Sequence, residues 1–231
     1  MSLTEALLRP LLSGSPGRPL ITHYDDDAGT RVELSVATLA NWAAKTANWL
    51  TEEHDIEPGD RVAVLLPPHW QTAGILLGAW WCGATVVDDP GGAKVTFVPP
   101  GGTGAVVSLD PMGRDLGAPP PGGTDFIADV RMYGDDFLAR TPVPGSTPAL
   151  GKSTVDELLV EALRRAADLG IGPDSRVLST LDWATPESAV DGLLAVLVMG
   201  ASLVQVTNPD PAALPKHRAA ERTTLDLGST A

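Results

Sequence analysis

The sequence predicts an α/β protein whose parallel or mixed sheets carry helices on both faces. Short, continuously apolar segments alternate with amphipathic segments along the 231 residues, a pattern typical of parallel strands buried on both sides. In addition, the segments 56–87 and 171–204 share one order of motifs. Each begins with Ile-x-Pro-x-x-Arg-Val, continues through a helix that ends in Gly-Ala, and finishes in an apolar strand. The protein is therefore predicted to contain two related halves, each with a strand–helix–strand unit.

Residues 34–110 are predicted to hold two helices among several strands. Apolar residues recur on one face of Leu34 to Leu50 after a cap-like Ser35, which predicts an amphipathic helix. The segment 57–66 predicts a turn and a strand, and the segment 69–83 predicts a helix that ends at Gly83. Three further strands are predicted from the apolar runs at 84–89, 94–98 and 104–110.

The second half follows a stretch rich in Pro, Gly and Asp, 110–150, which predicts a linker or long loop. After it, the sequence predicts a helix, a strand, a helix opened by Thr185 and Pro186, and a final strand; they cover 155–170, 174–181, 185–199 and 200–206. The polar tail, 207–231, is not assigned to an element. We therefore expect one domain over 1–231, with halves at about 1–110 and 150–206.

Composition restricts the function classes. The formal net charge of −13 argues against binding to nucleic acid or to an anionic membrane surface. The single cysteine, Cys82, cannot form an internal disulfide, and its apolar neighbours predict a buried thiol in a cytoplasmic protein. The N-terminus lacks the features of a secretory signal, and Pro and Gly residues interrupt the uncharged stretch 62–87, which is therefore not predicted to span a membrane.

One segment, GSTPALGKST at 145–154, is similar to a phosphate-binding loop. However, five residues separate its glycines where the Walker motif has four, and neighbouring prolines lack the N–H groups that grip phosphate. A capping box of Thr154 and Glu157, or of Ser153 and Asp156, is the favoured interpretation. Nucleotide binding stays open as the alternative, and its candidate residues are Gly145, Ser146, Thr147, Gly151, Lys152, Ser153 and Thr154.

A second candidate site is a pocket of acidic and aromatic residues. Asp88 and Asp89 end an apolar strand, and ligands of α/β proteins gather at the carboxyl ends of strands. Asp182 and Trp183 stand in the connection after a strand of the second half. Solvated loop caps are the favoured interpretation of the acidic pairs. We predict no metal site and no catalytic residues.

Several framework segments resemble the N-terminal region of the adenylate-forming superfamily, which includes acyl-CoA synthetases, luciferases and the adenylation domains of peptide synthetases. The segment 34–87 carries most of the resemblance, and 105–116 and 169–206 are similar to parts that follow it in that family. The chain looks most like a small actinobacterial group of proteins with distant similarity to AMP-binding enzymes. The resemblance implies that family's truncated N-terminal fold.

The resemblance is poor where the family's catalytic motifs should stand. The family's phosphate loop reads Ser/Thr-Ser/Gly-Gly-Ser/Thr-Thr-Gly-x-Pro-Lys-Gly, and TPVPGSTPALGK, 141–152, takes its place with a different order of residues. The family's aromatic-His segment falls near 181–186, which offers Trp183 but no His. The resemblance therefore implies an inherited fold without the inherited activity.

Three functions follow as hypotheses. The first is a pseudo-enzyme without adenylation activity that binds a small ligand or a protein. The second is a divergent AMP-, ATP- or acyl-binding enzyme completed by another chain, with ATP or AMP and Mg²⁺ as its cofactors and with Lys152, Ser153, Thr154 and Asp182 in its site. The third is a structural protein that acts as a homodimer or through a protein partner.

Overall fold

The structure is a computed structural model that describes residues 1–228. Its chain folds into two compact units whose segments are interleaved along the sequence. Unit 1 comprises Met1–Ala6, Ala40–Leu66 and Gln71–Leu158, and unit 2 comprises Leu7–Leu39, Pro67–Trp70 and Leu159–Ala231. The segment 110–150 lies in unit 1. The sequence predicted one domain with two sequential halves, and this stays a prediction.

Helices and strands are interspersed along the described chain. The helices are α1 (Leu3–Gly14), α2 (Val36–Glu53), α3 (Trp70–Trp81), α4 (Phe126–Val130), α5 (Val155–Asp168), α6 (Pro186–Ala189), a π-helical turn (Val190–Leu194), α7 (Ala195–Val198) and α8 (Leu214–Glu221). The strands are β1 (Pro19–Asp25), β2 (Thr30–Ser35), β3 (Arg61–Val64), β4 (Thr85–Val87), β5 (Val95–Val98), β6 (Ala105–Val106), β7 (Thr124–Asp125), β8 (Pro148–Leu150), β9 (Ser153–Thr154), β10 (Arg176–Ser179), β11 (Ser202–Thr207) and β12 (Leu225–Leu227).

Unit 1 contains a seven-stranded sheet in the order β7-β6-β5-β3-β4-β8-β9. All its strand pairs are parallel except that of β8 and β9. Its core includes an aromatic cluster in which the ring of Trp49 lies 5.7 Å from that of Phe97 and 5.2 Å from that of Phe126. Such offset and edge-to-face contacts add to the free energy gained from apolar burial.

Unit 2 contains a five-stranded sheet in the order β12-β10-β11-β1-β2. Strands β12, β10, β11 and β1 are parallel, and β2 returns antiparallel beside β1. The register of β1 and β11 pairs His23 with Gln205, and the register of β10 and β11 pairs Ser179 with Gln205. The two mixed sheets and their helices confirm the predicted α/β class.

Most predicted elements are confirmed, and the differences concern segments without strong periodicity. The helix predicted to run from Thr185 to Met199 contains a π-helical turn, and the predicted loop 110–150 contains β7, α4 and β8. The unassigned tail, 207–231, holds α8 and β12, and its last residues, 229–231, lie outside the described residues. Among the described residues, no helix has both the length and the apolar character needed to cross a membrane.

The prediction of a buried thiol is also confirmed. Cys82 is 4% exposed, and burial raises the pKa of its thiol to about 12. The thiol is therefore protonated at neutral pH, which does not suit a nucleophile.

Candidate functional site

The predicted phosphate-loop segment folds as a tight β-hairpin in unit 1. Strand β8 runs parallel to β4, and only Gly151 and Lys152 connect it to the antiparallel β9. Gly151 has a φ of 58°, the left-handed backbone that a turn of this kind requires, and its N–H group donates to Val86 O at 2.8 Å. The segment is therefore part of the sheet and not an open loop at the start of a helix.

Several N–H groups in and around this hairpin donate to acceptors of the protein itself. The backbone bonds are Thr147 N to Pro144 O (3.0 Å), Val155 N to Thr147 O (3.0 Å) and Asp156 N to Gly145 O (3.0 Å). The capping box is confirmed: Thr154 N donates to the Glu157 carboxylate at 2.9 Å, and Glu157 N donates to Thr154 Oγ1 at 3.3 Å. Each of these donors already has the partner that a phosphate oxygen would otherwise supply.

The charges near the hairpin also disfavour the binding of an anion. The carboxylate of Asp156 lies against Gly145, so closely that a Cβ atom on this glycine would be 2.2 Å from both carboxylate oxygens. Together with Glu157, it places two negative charges in the first turn of α5. Carboxylates there complement the helix dipole and repel a bound phosphate. Lys152 is exposed in the turn.

A test of the capping box is the Thr154→Ala variant. We expect it to lower the free energy of unfolding by about 1 kcal/mol, because the N–H of Glu157 loses its acceptor. The matched control is Ser153→Ala on the same hairpin, which leaves the box intact and is expected to change stability by less than about 0.5 kcal/mol. If urea denaturation showed equal losses of unfolding free energy in the two variants, the capping role would be contradicted.

Asp88 and Asp89 follow β4, next to the end of β8, at the same edge of the unit 1 sheet. The carboxylate of Asp89 accepts from Gly91 N at 2.9 Å and lies 3.9 Å from the guanidinium of Arg61. It therefore acts as a cap of its own loop. Among the described residues, no group of three or more His, Cys, Asp or Glu side chains is placed to hold a metal ion.

Asp182 and Trp183 lie in unit 2, in the connection between β10 and α6. Asp182 Oδ1 accepts from Ala184 N at 3.1 Å and from Ser188 Oγ at 2.9 Å, which fixes the loop. The indole of Trp183 is 8% exposed and packs on Gly192 of the π-helical turn, where a Cβ atom would be 2.9 Å from Nε1. Single π-helical turns within helices are frequent at functional sites.

A buried polar row in unit 2 includes the predicted Trp183 and two residues, Gln205 and His23, that were not predicted from the sequence. Gln205 is 1% exposed, and its Nε2 donates to Leu181 O at 3.0 Å, which orients the amide. Its Oε1 has no hydrogen-bond partner among the described residues, and the same is true of Trp183 Nε1. Buried polar atoms without partners are rare and call for a bound water or ligand.

His23 extends this row on the neighbouring strand. The hydroxyl of Thr207 donates to Pro68 O, so its oxygen accepts from His23 Nε2 at 2.9 Å. Nδ1 therefore carries a lone pair, for which the described residues offer no donor. Burial lowers the pKa of His23 to about 4, so the ring is neutral at pH 7. Two acceptors and one donor are therefore buried without a partner among the described residues. The signal in the sequence is weak: His23 and Gln205 are among several polar residues of strands that are otherwise apolar.

The comparisons with known proteins agree with the fold. No family model matches the chain. The chain is 44% identical over 241 aligned positions to a "TIGR03089 family protein" of Mycobacterium tuberculosis, and the match covers 98% of both chains.

Among solved structures, it is similar to the acyl-CoA synthetase of Brucella canis, with a TM-score of 0.77 and 16% identity over 98% of this chain and 47% of that one. It is also similar to apo MatB of Rhodopseudomonas palustris, with a TM-score of 0.76, 17% identity and coverage of 98% and 49%. The N-terminal domain of FACL13 from Mycobacterium tuberculosis matches with a TM-score of 0.72, 19% identity and coverage of 98% and 62%. At these identities the likeness shows the fold alone. The chain spans about half the length of the first two solved proteins.

Proposed function

The chain belongs to the TIGR03089 family, and from this premise we propose that it is a non-adenylating member of the acyl-CoA synthetase-like fold that binds a small ligand or another protein. The observation that carries the proposal is the hairpin at 148–154. It stands where the resemblance places the phosphate loop of adenylate-forming enzymes.

The chemistry of adenylation supports this proposal. Transfer of a phosphoryl group needs preorganised donors and positive charge at the position where negative charge develops. Here the N–H groups of Thr147 and Thr154 donate within the protein, and the carboxylates of Asp156 and Glu157 lie beside them. Lys152 is the one basic residue of the segment 145–154 that could compensate for these charges. The hairpin therefore suits a structural role better than phosphate transfer.

Unit 2 supports the ligand-binding part of the proposal. Gln205 Oε1, Trp183 Nε1 and His23 Nδ1 are buried polar atoms without partners in the described chain. They lie on or after strands of the parallel part of the sheet, and α/β proteins bind ligands beyond the carboxyl ends of such strands. A neutral polar ligand would satisfy these atoms without placing a charge in the interior.

The test is a thermal-shift titration with ATP·Mg²⁺, AMP and CoA, together with an assay of ATP–pyrophosphate exchange. We expect the unfolding temperature of wild type to change by less than about 1 °C, and Lys152→Ala to behave in the same way, because no ligand-linked stabilisation arises without binding. Circular dichroism of both proteins serves as the control for folding. Exchange activity, or saturable stabilisation by a nucleotide that is lost in Lys152→Ala, would overturn the proposal and favour the divergent enzyme.

The cellular location of the protein and its assembly are also part of the proposed function. We expect the protein to act in the cytoplasm, because its single cysteine forms no internal disulfide. A homodimer is the first partner to test. Sedimentation as a monomer over a hundredfold range of concentration would reject the homodimer and leave a different protein or a small molecule as the partner.

A further inference from the structure

Unit 1 contains a pocket of about 320 Å³ at the end of α2, away from the hairpin. Its volume falls in the range of small-molecule sites. Aromatic, acidic and thioether side chains line it, a combination that differs from the polar row of unit 2. The lining residues are Trp49, Glu53, His54, Thr124, Asp129, Met132 and Tyr133.

The negative charge in this pocket has no cationic partner among the described residues. Neither Glu53 nor Asp129 forms an ion pair there, and the nearby Arg131 is directed elsewhere, with its guanidinium 3.0 Å from Asp115 and a further hydrogen bond to Gly113 O. Burial raises the pKa of Asp129, and the carboxylates of Asp125 and Glu53 raise it further. Glu53 and Asp129 are both exposed, so a group that brought positive charge could reach two carboxylates that have no ion-pair partner in the described chain.

The backbone at the end of α2 favours the same sign of charge. Glu53 is the last residue of α2, so the negative end of the helix dipole lies at the pocket. The hydroxyl of Tyr133 donates to the Glu53 carboxylate and holds it in place. Trp49 is 2% exposed, and its ring packs against those of His54 and Phe126, so it belongs to the apolar wall of the pocket. The side chain of Met132 is apolar and exposed at the rim.

We propose that this pocket binds an organic cation, an ammonium group carried on a short apolar stem. The ammonium group donates to the carboxylates of Glu53 and Asp129, and the stem packs against the rim at Met132. A primary ammonium has three donors and no acceptor, which matches carboxylate oxygens. The inference concerns unit 1 alone and is independent of the function proposed above.

The experiment compares 2-phenylethylamine with 2-phenylethanol by isothermal titration calorimetry at pH 7. The two probes share shape and stem, but only the amine is charged. We expect saturable binding of the amine with a dissociation constant of about 1 mM or below, and binding of the alcohol at least roughly tenfold weaker. Asp129→Asn should weaken the affinity for the amine by about five- to tenfold, because one charge-assisted hydrogen bond is lost. The exposed Asp136, outside the pocket, provides the matched control Asp136→Asn, which should leave the affinity unchanged.

Four results would overturn the inference. The first is equal affinity for amine and alcohol, and the second is unchanged amine affinity in Asp129→Asn, confirmed as folded by circular dichroism. The third is displacement of the amine by millimolar Ca²⁺, which would make the carboxylates a metal site. A failure of all probes to bind would also reject this pocket. It would leave the proposal for the hairpin untouched, because that proposal is tested with nucleotides.

Discussion

Replacement of Glu221 by Gln is expected to lower the free energy of unfolding by about 2–3 kcal/mol. Glu221 is buried at the end of α8, and its carboxylate accepts from Tyr24 Oη at 2.6 Å, from Arg31 Nε at 2.8 Å and from the guanidinium of Arg176. Glutamine keeps the shape but not the charge, so both guanidinium groups would remain without their buried anion. Urea denaturation of the variant and of wild type measures the loss.

The matched control for this charge network is Glu33→Gln. Glu33 approaches the same two arginines, at 2.9 Å from Arg31 and 3.6 Å from Arg176, but its side chain is 34% exposed, against 5% for Glu221. Water can replace much of its interaction, so we expect a loss below about 1 kcal/mol. If the two variants lost the same stability, burial of Glu221 would not be the source of the effect.

The same network predicts a dependence of stability on pH. Burial by itself would raise the pKa of Glu221, but hydrogen bonds from Arg31, Tyr24 and Arg176 outweigh it and lower the pKa from 4.5 to about 2. The stabilisation is thus fully present above pH 4.5 and is lost as the pH falls towards 2.

The difference in unfolding free energy between wild type and Glu221→Gln should therefore shrink over this interval. His23, whose pKa burial lowers from 6.5 to about 4, also destabilises the protein as the pH falls. Its contribution is common to both proteins and cancels in the difference. A difference that stayed constant from pH 6 to pH 2 would contradict the role of the Glu221 charge.

The elements that the sequence predicted are those with local signals. Helices α2 and α5 repeat apolar residues at helical spacing, α3 is an apolar stretch followed by Gly83, and β3 and β11 are apolar runs. The sequence of α8, LPKHRAAE, has no comparable apolar face, and its buried residues include His217 and Glu221. Their burial depends on partners far along the chain, such as Asp26 for His217 at 2.8 Å. Periodicity cannot indicate such an element.

The candidate sites also divide into those that a local sequence pattern predicts and those that depend on the tertiary fold. The capping box of Thr154 and Glu157 depends on a spacing of three residues, so the sequence was sufficient to predict it. The pairing of His23 with Gln205 depends on strand order, and the pocket of Glu53 and Asp129 depends on how α2 packs near α4. Such contacts arise from the tertiary fold, and a single sequence does not reveal which distant polar residues meet.

Within unit 1, Gly78→Ala is expected to lower the free energy of unfolding by about 2 kcal/mol. A Cβ atom on Gly78 would lie 2.4 Å from Thr46 Cβ and 2.7 Å from Ala43 O, so α2 and α3 approach each other where no side chain fits. Since one of these neighbours is a backbone carbonyl, a change of rotamer cannot relieve the contact. The helices must separate, and they lose packing along their interface.

Gly74→Ala on the same helix separates this steric effect from helix propensity. Both variants exchange glycine for alanine within α3, which by itself stabilises a helix by up to about 1 kcal/mol. At Gly74, however, the added Cβ would meet only Trp42 Cβ, at 3.3 Å, a contact that a small shift can relieve. We therefore expect Gly74→Ala to be neutral or slightly stabilising in urea denaturation. If Gly78→Ala were also neutral or stabilising, the conclusion that α2 and α3 leave no room for a side chain at Gly78 would be wrong.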